Sequence, residues 1–517
     1  MNTPGSTTAR RMAGAATGLV AGASGLLVGE GVARVLDGTG PVVAVGNRAV
    51  DLTPRPVKEW AITTFGAADK AVLIGGVLAT VVLAVLVLGW FGSRRRTPTV
   101  VGMGILVALA AAAMIINPAP SSVLALSAGI GGMALVGVGG FAWMLTRLPR
   151  STTSRTSPLK PGEDAPGFDR RRFLVAASTV AAAGAAGGAA RGLVGGSTGS
   201  AGVALPTPGS LAPAVPEGVS FDVAGLSPHL TPTPDFYRVD TALQIPQVDV
   251  QDYVLRITGM VDTPLELTYQ DLLDRELVER RITLTCVSNP VGGDLLGNAT
   301  WIGIPMRDLL AEAGVQSGAD AVLSTSVDGF TAGTPLDVLT DDREALVAVG
   351  MNGEPLTPTH GFPVRMVTPG LYGYVSATKW LTELEVTRFQ DFTAYWTDRG
   401  YAAQAPIKLS SRIDVPASFA QLEAGEVTVA GVAWAQTVGI ERVEVRVGDG
   451  SWDEAELATE DNDQTWRAWR HTWDAEPGSH RIEVRATDRD GNTQTSRREP
   501  IAPDGSTGWH NVTVSVA

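Results

Sequence analysis

Cysteine is almost absent: Cys286 is the only one in 517 residues. That count excludes an intrachain disulfide, a cysteine-ligated iron–sulfur cluster and a multi-cysteine zinc site. Histidine is nearly as scarce, and all five (His229, His360, His471, His480, His510) lie beyond residue 228. Paired-histidine haem ligation within the apolar N-terminal part is thereby excluded, and no Cys-x-x-Cys-His attachment motif exists. Charged residues make up only 18%, the net charge is -13, and no basic patch is interleaved with aromatics, so nucleic-acid binding finds no support. What is plentiful is glycine (60 residues) and apolar content (44%), as expected when a membrane segment dilutes a soluble part.

Long apolar runs fill the first 150 residues. Residues 12–29, 71–92, 100–116 and 123–145 each approach the ~20 residues that cross a bilayer, which predicts an N-terminal four-span bundle over 1–150. Basic residues fix its orientation. Arg10-Arg11 precede the first run, Arg94-Arg95-Arg96 separate the second and third, and Arg147, Arg150, Arg155 and Lys160 follow the fourth. Placing all three clusters in the cytoplasm puts the loop 117–122 and the longer segment 37–70 outside.

Residues 151–195 read as a cytoplasmic linker leading into a further span. Asp169-Arg-Arg-Arg-Phe-Leu174 and the small-residue run 175–190 resemble a twin-arginine signal, which would carry everything after about residue 195 outside in a folded, cofactor-loaded state. The Gly/Ser/Ala/Pro stretch 196–218 is expected to be a flexible tether.

In the soluble part, Thr283-Leu-Thr-Cys-Val-Ser-Asn289 places the lone thiol where a β-branched buried strand is broken by Pro290 and Gly292-Gly293. A free cysteine is usually a small buried hydrophobe. In an exported chain, an unpaired thiol at a strand-to-loop switch points instead to a reactive or metal-binding role. Thr268-Tyr-Gln-Asp271 predicts a capped helix start and Gly314 a helix C-terminus, giving an α+β mixed-sheet domain over 219–405. Beyond it, alternating runs at 427–434, 440–447 and 480–486 predict an all-β immunoglobulin-like sandwich over 406–517.

Five motifs together carry a resemblance: Thr283-Leu-Thr-Cys-Val-Ser-Asn, Trp301-Ile-Gly-Ile-Pro, Met351-Asn-Gly-Glu-Pro-Leu, His360-Gly-Phe-Pro-Val-Arg and Lys379-Trp-Leu. In order and spacing they resemble the molybdopterin-binding domain of the sulfite oxidase family. The resemblance implies a molybdenum–molybdopterin cofactor with Cys286 as the thiolate on the metal. It implies that Tyr237, Arg238, Asn289, His360, Arg365, Gly373 and Lys379 hold the cofactor, with Gly370 close by. A guanidinium fork and an ammonium suit a phosphate. It implies further that Tyr401 and Arg238 face the substrate, and that the C-terminal sandwich forms a homodimer.

One departure concerns substrate. Sulfite-oxidising relatives carry basic residues just after the asparagine, where this chain has Pro290 and Val291. Without those charge-assisted hydrogen bonds a dianion is poorly held. Arg238 and Arg399 are the nearest compensating cations, and a less charged small molecule, such as a sulfoxide, is the expected alternative. With no haem in the chain, electrons would pass to a separate partner, a cytochrome or a quinone-linked membrane subunit. The competing class is a membrane-tethered ligand-binding or scaffold protein without catalysis, in which Cys286 would be dispensable.

Overall fold

The computed structural model describes residues 4–36, 38–54, 57, 69–117, 121–148, 170–193 and 202–517. Two compact units emerge: a helical one comprising 1–197 with 242–244, and a larger one comprising 198–241 with 245–517.

The helical unit contains α1 (Pro4–Val35), α2 (Pro41–Leu52), α3 (Asp69–Gly92), α4 (Arg96–Ile116), α5 (Val123–Met133), α6 (Gly140–Thr146) and α7 (Arg170–Leu193). A π-helical turn, Ala134–Gly139, joins α5 to α6 in one continuous rod. Five helices are long and apolar enough to cross a membrane: Thr8–Val35, Val72–Gly92, Arg96–Ile116, Val123–Thr146 and Arg171–Ala189. Lipid offers no hydrophobic drive between helices, so packing depends on close backbone approach. A Cβ added to Gly14 or Gly18 of α1 would collide with the carbonyls of Gly89 and Val85 on α3. One added to Gly187 of α7 would lie 2.6 Å from the Leu27 carbonyl oxygen.

The segment 37–70 includes α2. Pro41 begins it, and Glu30 Oε1 accepts a hydrogen bond from the Val42 amide at 2.7 Å, satisfying a helix-terminal donor from outside the helix. The linker 151–169, with Arg155, Lys160 and Asp169, lies outside the described residues, as do 194–201.

The larger unit begins with two sheets. One has the order β2 (Leu265–Thr268), β1 (Val254–Gly259), β10 (Leu381–Thr387), β5 (Ala321–Ser326), β6 (Thr331–Pro335). The β1–β10 pair is parallel and the others antiparallel, so the sheet is mixed as expected. The other has the order β3 (Val278–Thr285), β4 (Leu296–Pro305), β7 (Leu346–Met351), β8 (Glu354–Pro355), with β9 (Arg365–Val367) also on β7. Short helices α8 (Tyr269–Leu273), α9 (Met306–Ala313) and α10 (Leu336–Thr340) pack against them. The capping box of α8 forms as its sequence predicts: Thr268 and Asp271 exchange side-chain and backbone bonds of 2.8 and 3.2 Å. Gly314 ends α9 in the left-handed region, with φ of 72°. Between the sheets lie Leu255, Ile257, Leu309, Leu310, Val347 and Leu384, all fully buried.

The C-terminal strands form two further sheets, β11–β13–β17–β16 and β12–β19–β18–β14–β15. Their ranges are β11 (Ser410–Val415), β12 (Gln421–Leu422), β13 (Gly425–Trp434), β14 (Ile440–Val447), β15 (Asp453–Glu454), β16 (Glu456–Leu457), β17 (Arg467–Ala475), β18 (Gly478–Asp488) and β19 (His510–Val516). One core holds them together, with Trp469 and Val429 from the first sheet against Val443, Ile482, Val484 and Val514 from the second.

The described part of the expected flexible tether, 202–218, is not free. Ser210 pairs in parallel with Val278, and the Glu279 amide donates to the Ser210 carbonyl at 2.8 Å. Val203 and Leu205 pack on the core. Two apolar side chains and an open strand edge suffice to bind a stretch whose composition reads as a linker.

Candidate cofactor and active site

Cys286 directly follows β3, whose C-terminal part is buried: Arg281, Ile282, Thr283, Leu284 and Thr285 are all at most 6% exposed. Its amide donates to the Leu295 carbonyl at 2.9 Å, closing a ten-residue loop between β3 and β4. A tight turn follows, with the Asn289 amide on the Cys286 carbonyl at 3.0 Å and the Leu295 amide on Asn289 Oδ1 at 3.0 Å. The sulfur accepts from the Ser288 amide at 3.4 Å. Burial pushes the thiol up, opposed by the Ser288 hydrogen bonds and the Lys379 charge. The group is therefore a thiol until a cation draws off its proton.

The sulfur lines a cleft with about 870 Å³ of non-atom space continuous with solvent. Tyr237, His360, Arg365, Gly373, Lys379 and Tyr401 line the same cleft. Six of the nine site residues named from sequence are thus brought around Cys286. Two are not. Asn289 spends its carboxamide on the loop, and Arg238 lies behind Asp240, donating from Nε to its carboxylate at 2.9 Å. Gly370 also stays off the cleft, where its φ of 79° serves a turn.

Arg365 carries the strongest electrostatic signal. Its guanidinium is buried, stacks 4.9 Å from the Trp301 ring, and bonds only to carbonyls, those of His360 at 3.1 Å and Met366 at 3.3 Å among them. Burial lowers it to about 10, so it remains charged at neutral pH. Among the described residues no carboxylate pairs with it. A buried, hydrogen-bonded cation without a counter-charge is costly unless an anion arrives.

Lys379 differs. Its Nζ donates to Asp240 Oδ2 at 2.7 Å and to the Thr359 carbonyl at 3.2 Å. Burial lowers it to about 8, opposed by Asp240. Asp240 thus bridges Lys379 and Arg238. Burial and the Arg365 charge lower His360 to about 4, so its ring is neutral. The ring nitrogen Nε2 lies 3.0 Å from the Thr233 carbonyl, which makes it the protonated nitrogen. Burial, followed by the charge of Cys286, raises Tyr237 well above the phenol range. A methyl on Gly373 would meet the Thr285 carbonyl at 3.8 Å and the Tyr237 hydroxyl at 3.9 Å, so the protein itself leaves room there.

The mouth is aromatic. Tyr401 meets Tyr374 and Trp396 edge-on at 5.5 and 5.2 Å, and Phe330 and Trp380 complete the wall. Sequence reasoning did not identify Asp240, Trp380, Trp396 or Phe330 as site residues.

The C-terminal sheets brace the Cys286 loop, which the sequence did not reveal. Arg412 Nη1 donates to the Gly293 carbonyl at 2.8 Å, and Ser506 Oγ to the Asn289 carbonyl at 2.8 Å. The His510 ring packs on Gly292, leaving no space for a Cβ. Deeper in, Arg281 of β3 makes a two-pronged ion pair with Asp461, one prong at 2.6 Å, and His229 Nε2 meets the same carboxylate at 2.9 Å. Burial works against that carboxylate, but the bonds from Arg281 and His229 hold it at about 2.

The donor set fits a molybdenum–pterin group. It comprises one thiol for a soft metal, a buried unneutralised guanidinium, a second cation and a glycine-lined approach. The oxidoreductase molybdopterin binding domain family matches residues 242–396. The chain is 30% identical to mitochondrial sulfite oxidase of Mus musculus over 340 residues, 56% of this chain and 62% of that protein. It thus spans under two thirds of the mammalian relatives it matches. The uncharacterized oxidoreductase YuiH of Bacillus subtilis is 35% identical over 153 residues, 30% of this chain and 74% of that protein. Among solved structures, the sulfane dehydrogenase SoxCD of Paracoccus pantotrophus shares the fold with a TM-score of 0.50 and 22% identity, over 56% of this chain and 82% of that one.

Proposed function

The chain belongs to the sulfite oxidase family of molybdopterin-dependent oxidoreductases, and on that premise we propose a membrane-anchored enzyme acting outside the cytoplasm by oxygen-atom transfer on a small, weakly charged molecule. The observation that carries it is the shared cleft of Cys286 and the unneutralised Arg365. When bound, the cofactor supplies two-electron redox chemistry and oxygen-atom transfer. The chain's own residues bind and orient it. Cys286 would supply the thiolate to the metal, Arg365 and Lys379 would offset phosphate charge, and neutral His360 would offer Nδ1 as an acceptor.

Substrate choice follows from the mouth. Pro290 and Val291 bring no charge beside the thiol loop, and Arg238 is engaged by Asp240. The wall of Tyr374, Trp396 and Tyr401 favours an apolar or dipolar substrate, such as a thioether or sulfoxide, over sulfite. Tyr401 is the group proposed to touch it.

The five candidate spans anchor the chain, and the arginine clusters support an outward-facing larger unit. The domain division read from sequence is retained in this proposal, with 406–517 as an immunoglobulin-like dimerisation module. With all five histidines beyond residue 228 and no Cys-x-x-Cys-His motif in the sequence, a separate cytochrome or quinone-linked subunit is proposed to exchange electrons.

The test is molybdenum and pterin analysis of the full-length protein from a cofactor-producing host, followed by turnover with sulfite and with sulfoxides. Near-stoichiometric metal and preference for the uncharged substrate are expected. Metal-free, well-folded protein from a host that loads a control enzyme would turn the assignment to a binding or scaffold protein. Faster turnover of sulfite would overturn the substrate reading alone.

A further inference from the structure

Pro503-Asp504-Gly505 has the composition of a turn, and it forms one in the segment joining β18 to β19. The Glu499 amide donates to the Thr507 carbonyl at 3.2 Å and closes the base, while the Gly505 amide donates to the Ile501 carbonyl at 2.7 Å. Gly505 has a φ of 100°, and a Cβ there would collide with the Tyr372 hydroxyl, so glycine is required. Lys408 ties the turn down further, its Nζ donating to Asp504 Oδ1 at 2.9 Å and to the Gly505 carbonyl at 2.8 Å.

The same turn reaches both walls of the cleft. Ser506 Oγ donates to the Asn289 carbonyl at 2.8 Å, on the loop that carries Cys286. The Pro503 carbonyl accepts from the Ala402 amide at 3.0 Å, one residue beyond Tyr401. The Ala402 carbonyl accepts in turn from the Tyr374 hydroxyl at 2.7 Å, and Tyr374 meets Tyr401 edge-on at the mouth. Peptide groups are planar, so fixing one carbonyl or amide fixes the whole unit around it. The thiol loop and the tyrosine pair are thereby fastened to one turn, whose own shape is set by Gly505 and Lys408.

We propose that residues 502–506 position the active site, setting the separation between the Cys286 sulfur and the tyrosines at the mouth, and with it the size of molecule admitted to the thiol. The inference rests on the cleft being the active site. It gives the C-terminal sheets a role besides dimerisation. Ser506 and Lys408 do not line the cleft and act through the loop and the turn, as positioning residues.

Cys286 is the only thiol, so maleimide labelling of the cofactor-free full chain reads this cleft alone. N-methylmaleimide reports the thiol loop, and the rate ratio of N-phenylmaleimide to N-methylmaleimide reports the aperture. Ser506→Ala should speed N-methylmaleimide labelling roughly fivefold, equivalent to about 1 kcal/mol, the net worth of one hydrogen bond. Ser506→Thr keeps the hydroxyl and should return the rate toward that of wild type. Lys408→Met should raise the phenyl-to-methyl ratio roughly threefold, well within the discrimination that a fitted pocket exerts on size. Val429→Ala, a truncation in the core of the C-terminal sheets, should lower the urea midpoint and leave rate and ratio unchanged. A wild-type rate in Ser506→Ala, or equal acceleration in Val429→Ala, would overturn the hold on the thiol loop. An unchanged ratio in Lys408→Met would overturn the hold on the mouth. Labelling needs neither metal nor substrate, so a chain that binds no molybdenum would remove the enzyme reading while these rates still decide the role of the turn.

Discussion

Polar groups are handled in opposite ways in the helical unit and around the cleft. In the helices, the hydroxyls of Thr17, Thr80 and Thr179 return to carbonyls one turn earlier, each at 2.8 Å, and Glu30 caps α2. Lipid cannot solvate an open polar group, so local closure is the stable solution. At the cleft, Arg365 keeps its charge without a carboxylate among the described residues. A buried cation of this kind is stabilised when an anion arrives beside it.

Breaking the cleft side of this contrast should have the largest effect. Cys286→Ser should abolish molybdenum retention, measured by elemental analysis, because a hydroxyl is a poor soft-metal ligand. Retained metal with unchanged spectroscopy would remove the thiol from its assigned role. Asp461→Asn comes next. Stranding Arg281 as an unpaired buried charge should cost about 3–5 kcal/mol, seen as a shifted urea midpoint. A loss below 1 kcal/mol would mean water replaces the carboxylate.

Arg365→Gln sharpens the comparison because its two readouts should diverge. Cofactor binding should weaken by about 1.5–3 kcal/mol, the worth of a charged hydrogen bond. The cofactor-free protein should be no less stable, since an uncompensated charge has been removed. Parallel losses would make Arg365 structural. On the helical side, Gly18→Leu should destabilise the bundle by about 1–3 kcal/mol through overpacking at the Val85 carbonyl. An unchanged thermal unfolding profile would show that α1 and α3 can separate at no cost.

The remaining test is a pH dependence. Burial, then Arg412 and Arg498, holds His510 at about 4 against an ordinary 6.5, with Asp414 opposing. The folded state therefore binds fewer protons than the unfolded one between those values. Its contribution is complete above about pH 6.5 and declines as pH falls toward 4. Urea midpoints from pH 7.5 to 4 should fall, and His510→Gln should flatten the decline. An identical slope in the variant would assign the decline to other groups.

What the sequence made legible was local or motif-bound. Thr268 and Asp271 are three residues apart and cap one another without help from elsewhere. Cys286, His360, Arg365 and Lys379 were visible because each sits in a recognisable motif. Asp240 carried no signal of its own, since only the fold brings it to Lys379 across 139 positions. Arg412, Ser506 and His510 carried no signal, because bracing a loop more than 100 residues away leaves no local pattern. The 202–218 stretch misled for the complementary reason: its composition describes the isolated chain, while its order comes from the edge of β3.

That edge bears on the order of biosynthesis. Residue 210 covers the start of β3, and the Thr283 amide near its end donates to the Gln464 carbonyl at 3.0 Å. The strand leading to the thiol is thus completed by a segment made 178 residues after Cys286, the difference between positions 464 and 286. A chain ending before residue 464 would therefore leave that edge of β3 open, with the backbone donor beside the thiol-bearing loop unpaired.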